Sequence, residues 1–233
     1  MARKKALRRL RTSTVINATS KEQEKAVIKA LNRVVADLAA THGVQLAHDK
    51  RWVLSDIVQE LRTHFPDVEF HCTFETSYMA PDGGILRLVD ADGDGYPILI
   101  SEVKNQGTND LRKAEGKKKQ SKGNAIERLG KNVIGFRAAM LNENIFPFVC
   151  FGYGCDFAPD SSILDRVVTI NMFGELCVTN VHDQGPNGLF DRGSYYFREA
   201  EWSVDEMYEV MFDIAEKSMF YYFSKHGKAR FLQ

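Results

Sequence analysis

Apolar positions along the chain change their spacing several times, and each change marks an element. Residues 1–19 are poor in apolar residues after Leu10 and read as a basic arm. Val27, Leu31, Val34, Val35 and Leu38 then recur at helical spacing, with Ser20 and Gln23 as a capping box and Gly43 as a stop. A second helix carries Leu54, Ile57, Val58 and Leu61 and ends before Pro66. The period then shortens to two. Residues 68–74 (VEFHCTF) alternate, and 84–89 (GILRLV) and 96–103 (YPILISEV) flank the turn ADGDG, which predicts a hairpin. Residues 105–122 are polar and basic and read as a long loop or an exposed helix. A helix starts near Gly123 with Leu129, Val133, Phe136 and Met140 on its apolar face. Strands follow at 146–152 and 166–172, with a third at 176–181, and 182–194 reads as a loop. Ser203 with Glu206 is a second capping box, opening a helix through Met207, Val210, Met211, Ile214 and Met219 to near Gly227. There is no repeat and no linker. The expected fold class is α/β, a central mixed β-sheet flanked by helices. The arm 1–19 would precede a single domain, 20–233, with a helical part, 20–65, and a core, 66–233.

Composition narrows the class without naming a function. At 44% hydrophobic and 27% charged residues the chain is an ordinary globular sequence, and 233 residues suffice for one well-buried domain. No apolar run approaches the ~18–20 residues of a membrane helix, and the N-terminus lacks an apolar signal core. A cytoplasm is the expected location and no membrane the expected partner. Cys72, Cys150, Cys155 and Cys177 form no C-x-x-C pair, which favours buried free thiols in a reducing compartment over a zinc site.

Charge adds more. The chain has 31 basic and 31 acidic residues, but twelve of the basic ones lie in residues 3–11 and 112–122 beside one acid, Glu115. The remainder carries 19 basic against 30 acidic side chains. Two basic segments on an acidic body suit contact with a phosphate backbone, with solvated loops and a frayed terminus as the plainer alternative.

The hairpin holds the candidate chemistry. Phosphodiester hydrolysis needs a divalent cation, carboxylates to hold it, and a group to orient or deprotonate the attacking water. In Glu102-Val103-Lys104 an acid and a lysine share one strand face, because strand side chains alternate. Asp82 follows Pro81 at the start of the preceding strand, so the hairpin brings it beside 102–104. This is the pattern of a PD-(D/E)xK nuclease. Asp82, Glu102 and Lys104 are the candidate catalytic residues. Mg²⁺ would take Asp82, Glu102 and the Val103 carbonyl, with Lys104 over the water or the phosphate.

Two other matches carry less. Glu115-Gly-Lys117 has the acid-x-lysine spacing but no strand to fix a common face. Asp90, Asp92, Asp94 and Gly95 resemble the start of an EF-hand loop, but Ser101 stands where the closing glutamate belongs and no helix flanks it, so a hairpin turn is expected.

PDGGI at 81–85, EVKNQG at 102–107, and GNAIER at 123–128 followed by Lys131-Asn132 together resemble the EcoRI family of type II restriction endonucleases. The similarity continues through FPFVCF at 146–151 and EWSVDEMYEVMFDIAEKS at 201–218 and covers roughly residues 70–223. The resemblance implies a homodimer that cuts double-stranded DNA at a palindrome with an AATT core, leaving 5′-phosphates and four-base 5′ extensions. It also implies a cognate adenine methyltransferase acting on the same site. It puts Asn124, Ala125, Glu127 and Arg128 near the start of a helix aimed into the major groove, dealing with adenine and thymine. Asparagine and arginine suit adenine's N6 and N7 edge, and the plainer reading of Glu127 and Arg128 is a helix-surface ion pair.

The segment KKKQSK before GNAIER departs from the members that read GAATTC. Gln120, Ser121 and Lys122 are therefore candidate readers of the outer base pair, and Lys117, Lys118, Lys119, Lys113 and Arg112 candidate backbone contacts. A nuclease of the same class without site specificity, or a catalytically silent DNA-binding module, remain the alternatives.

Overall fold

Among the described residues a five-stranded mixed sheet organises the chain, in the order β1-β4-β5-β6-β7. Its strands are β1 (Gln45–Asp49), β4 (Gly84–Val89), β5 (Gly95–Asn105), β6 (Phe148–Tyr153) and β7 (Ser194–Arg198). β1, β4 and β5 pair antiparallel, whereas β5, β6 and β7 run parallel. β2 (Trp52–Val53) and β3 (Tyr78–Met79) form a separate two-residue ladder. The helices are α1 (Ala2–His42), α2 (Leu54–His64), α3 (Gly107–Ala114), α4 (Gly123–Ala138) and α5 (Val204–His226), and a 3-10 turn at Lys228–Phe231 follows. The computed structural model describes residues 2–72, 74–105, 107–119, 123–161, 163–165, 175–182 and 193–232, with side chains from residue 21 onward except at 107, 108 and 123–125. Among the described residues no helix is long and apolar enough to cross a membrane.

The core lies on both faces of the sheet. α1 and α5 pack on each other and on β5. Val27, Ala30, Leu31, Val34 and Leu38 of α1 are fully buried, as the helical spacing of apolar residues requires. On the opposite face Phe136 of α4 stacks on Phe148, and Phe148 on Phe146 with ring centroids 5.5 Å apart. The expected α/β class with a mixed sheet is what forms.

Several elements differ from expectation. α1 begins at Ala2, with no break at Ser20. Gln23 does not close a capping box; it is buried against Trp202, whose backbone N–H it accepts and whose carbonyl it donates to, both at 3.4 Å. Residues 68–72 form no strand, and Val68 and Phe74 are exposed. Among the described residues no strand pairs with that stretch. Residues 176–181 also lack strand structure, and His182 makes only an isolated bridge to Ile145. The strand expected at 166–172 lies outside the described residues. β1 and β7 were not expected: QLAHD and SYYFR are short, and β1 occupies an edge. The Ser203–Glu206 capping box is present as read, and Arg198 pairs with the same Glu206. Of the cysteines, Cys150 and Cys155 are buried, but Cys72 is half-buried and Cys177 exposed; all four are free.

Candidate active site

The hairpin is built so that Asp82 must lie beside Glu102. Gly83 N–H donates to Ser101 O at 2.9 Å, which ties the start of β4 to β5. A side chain on Gly83 would strike Ser101 Oγ at 2.1 Å. Gly84 has φ +85, and a Cβ there would meet His48 Nε2 at 2.3 Å and the Asp49 carbonyl at 2.7 Å. Both glycines of PDGGI are thus needed for β1, β4 and β5 to close on one another.

Side chains alternate along β5, with Ser101 and Val103 on the α1 side and Glu102 and Lys104 on the α4 side. Asp82 N–H donates to Glu102 Oε2 at 3.1 Å, and Val103 N–H donates to Asp82 Oδ2 at 3.1 Å. Lys104 Nζ then meets three oxygens. It donates to Asp82 Oδ2 and to the Val103 carbonyl, each at 3.2 Å, and pairs closely with Glu102 Oε1. Those are the three groups expected to hold a cation. Two carboxylates and a carbonyl converging on one point are the oxygen set a small divalent ion accepts, leaving its other positions for water and phosphate. The donor set therefore fits Mg²⁺.

Burial dominates the electrostatics here. Glu102 is 1% exposed. Burial pushes its carboxyl above the usual range, Lys104 opposing and Asp82 adding to the shift. Burial alone would lower Lys104, but Glu102 and Asp82 outweigh it, so the amine is pushed up and stays charged. Cys150, the β6 register partner of Glu102, has its thiol raised well above normal by burial, which keeps it uncharged.

Three residues join the site that the motif did not indicate. Asn132 Nδ2 of α4 donates to Glu102 Oε1 at 2.9 Å. Asn105 and Tyr153 end β5 and β6 in register, and Asn105 Nδ2 donates to Tyr153 Oη at 2.5 Å. Asn132 was visible only as the tail of the GNAIER element, and nothing in its spacing pointed at Glu102. A cleft of about 190 Å³ opens over this group, lined by Glu24, Asp82, Val103, Lys104, Asn105, Arg128 and Tyr153.

The recognition candidates begin at the same cleft. Residues 124 and 125 lie in the first turn of α4, and Glu127 and Arg128 are exposed, Arg128 on the cleft wall. Gln120, Ser121 and Lys122 lie outside the described residues. In the basic segment, Lys113 pairs with Glu199, Lys117 with Glu115, and Arg112 Nε donates to the Lys118 carbonyl. Lys118 and Lys119 are both exposed, and Lys119 Nζ donates to the Cys155 carbonyl at 2.8 Å.

The two weaker motifs resolve as structure. Glu115-Gly-Lys117 lies beyond α3 and off any strand. Asp90 Oδ1 accepts the Asp92 and Asp94 amides at 3.0 and 2.8 Å, and its Oδ2 accepts from Tyr96 and Arg230, closing a hairpin turn.

Residues 11–167 match the family described as Restriction endonuclease EcoRI. The type II restriction enzyme RsrI of Cereibacter sphaeroides is 32% identical over 197 residues, covering 70% of this chain and 71% of that enzyme. The type II restriction enzyme EcoRI of Escherichia coli is 28% identical over 200 residues, covering 71% and 72%.

Proposed function

Because this chain belongs to the EcoRI restriction endonuclease family, and so is a type II enzyme that cuts double-stranded DNA at specific sites, we propose how it cuts and what it reads. Asp82, Glu102 and the Val103 carbonyl hold the divalent cation, Mg²⁺. Bound there, Mg²⁺ supplies charge neutralisation at the scissile phosphate and a more acidic water. Lys104 orients that water or contacts the phosphate, and Asn132 fixes Glu102. Hydrolysis leaves a 5′-phosphate and a four-base 5′ extension. The enzyme acts as a homodimer in the prokaryotic cytoplasm.

Asn124, Ala125, Glu127 and Arg128 read an AATT core. Gln120, Ser121 and Lys122 set the outer base pair, where lysine suits the O6 and N7 of guanine. Arg112, Lys113, Lys117 and Lys118 contact phosphates, which position without specifying. A methyltransferase acting on the core adenine protects host DNA.

One observation supports this reading most. The helix that starts with the GNAIER element also supplies Asn132 to Glu102, so the reading end and the cutting end share one rigid rod. The test is digestion of a sequenced plasmid with Mg²⁺, the ends mapped, Glu102→Ala as control, and an N6-methylated plasmid in parallel. Discrete ends sharing an AATT palindrome, absent with Glu102→Ala and with methylated DNA, are expected. Random ends would overturn the specificity, and cleavage of methylated sites the adenine contact.

A further inference from the structure

The cleft over the Asp82–Glu102–Lys104 group has a wall on each face of the sheet. Asp82, Lys104 and Arg128 line it from the α4 side. Val103, Asn105 and Tyr153 line it from the other face, where Glu24 of α1 also reaches it. Asn105 follows Lys104 on β5, so alternation turns its side chain to the α1 face. Tyr153 is its register partner on β6, and Asn105 Nδ2 donates to Tyr153 Oη. Among the described residues the Asn105 side chain makes no other hydrogen bond. A side-chain amide carries two Nδ2 hydrogens. Tyr153 takes one, and the other remains for the cleft in a direction that the pair fixes.

The charges on this wall decide what such a donor meets. Burial first, then Glu201, push the Tyr153 phenol up, so it stays neutral. The cations of the cleft, Lys104 and Arg128, lie on the opposite wall. A DNA strand carries one phosphate per ~3.4 Å of axis. With the scissile phosphate at the Asp82–Glu102–Lys104 group, the next phosphate of that strand runs along the same cleft. The α1 wall offers it a fixed neutral donor, and a hydrogen bond to a charged oxygen is stronger than one between neutral groups.

We propose that Asn105, held by Tyr153, donates to the phosphate next to the scissile one and so sets the register of the strand on the cleavage centre. Asn105 is then a substrate contact and Tyr153 a positioning residue. This rests on the reading of Asp82, Glu102 and Lys104 as that centre.

Binding is titrated without divalent cation, across salt, for Asn105→Ala, Asn105→Asp, Tyr153→Phe and the Asn105→Ala/Tyr153→Phe double mutant. The DNA is the mapped site with an uncharged methylphosphonate, each isomer separately, at each phosphate in turn. Asn105→Ala should weaken binding about tenfold, with the salt slope unchanged because a neutral donor releases no counterion. At the phosphate adjoining the mapped cut, and there alone, one methylphosphonate isomer should remove most of that loss. Asn105→Asp should bind worse than Asn105→Ala, and that gap should close on the same methylphosphonate. Tyr153→Phe should lose less, and the double mutant should be no worse than Asn105→Ala. Losses that are equal at every phosphate, or Asn105→Asp equal to Asn105→Ala, would overturn the contact. So would lower thermal stability of Asn105→Ala with unchanged binding. Glu102→Ala is digested in parallel. If it is inert while the Asn105 losses are equal at every phosphate, the contact alone fails. If it cuts like wild type, the cleavage-centre reading fails and takes the placing of this phosphate with it.

Discussion

Glu102 carries more of the site than any other side chain. It is buried, accepts from Asp82 N–H and from Asn132, and pairs with Lys104. Glu102→Ala or Lys104→Ala should lose at least ~10²–10⁴ in cleavage rate while DNA binding stays largely intact. Single-turnover cleavage beside a binding titration checks this, and parallel loss of both would contradict it. Asn132 acts one step away. Holding a ligating carboxylate in place is typically worth ~10–100-fold in activity or metal affinity. Asn132→Ala should therefore need more Mg²⁺ for half-maximal rate, whereas Asn132→Asp, which adds a negative charge against Glu102, should be worse. Equal Mg²⁺ demand in both variants and the wild type would remove Asn132 from the site.

Among elements, α5 shows what a local signal can determine. Ser203 Oγ accepts the Glu206 amide at 3.2 Å, and Glu206 Oε2 accepts the Ser203 amide at 2.9 Å. Hydrogen bonds from Arg198, then from Ser203, pull the Glu206 carboxyl down to about 2 from its ordinary 4.5. A carboxyl lowered on folding stabilises above its unfolded value, and that contribution is lost as pH falls through the folded one. The contribution should be complete above pH ~4.5 and fade toward pH ~2. Glu206→Gln should flatten that limb in urea unfolding across the range; an unchanged limb would show that other carboxylates govern it. This cap was legible because three residues within one turn produce it. The β4–β5 hairpin was legible too, since the turn and both alternating strands are contiguous. β1 was not: it pairs with a distant strand, Gln45 opposite Val89 through Asp49 opposite Ile85, and its polar sequence at a sheet edge has no pattern of its own. The alternation at 68–74 misled for the converse reason, because alternation describes a strand only where another strand is free to pair. The convergence of Asp82, Glu102 and Lys104 was readable from spacing, but Asn132, Asn105 and Tyr153 are brought in by packing and parallel register.

At the scale of the whole molecule, parallel pairing of β5, β6 and β7 sends their C-terminal ends to one edge. The Asp82–Glu102–Lys104 group, the Lys119–Asp156 contact and the Lys113–Glu199 pair all lie along it, as ligand sites do at the carboxyl ends of parallel strands. Each chain holds one Asp82–Glu102–Lys104 set, which under the proposed mechanism cuts one strand at a time. Cutting both strands of a palindrome symmetrically calls for two copies related by a two-fold axis. Sedimentation should therefore give about twice the 26.4 kDa chain mass. A monomer that yields only nicked plasmid would overturn this.

The place Lys104 takes, at the meeting point of Asp82, Glu102 and the Val103 carbonyl, bears on how the enzyme is stored and assembled. Zinc-finger-like domains cannot form until their ion arrives, because the empty ligands repel and solvate. Here Lys104 sets a positive charge between the two carboxylates from within the chain, so the fold need not wait for an ion. Chelation with EDTA should abolish cleavage yet move the melting temperature by no more than a degree or two, a roughly sub-kcal/mol change. A large drop on chelation would mean that the fold itself waits for the metal.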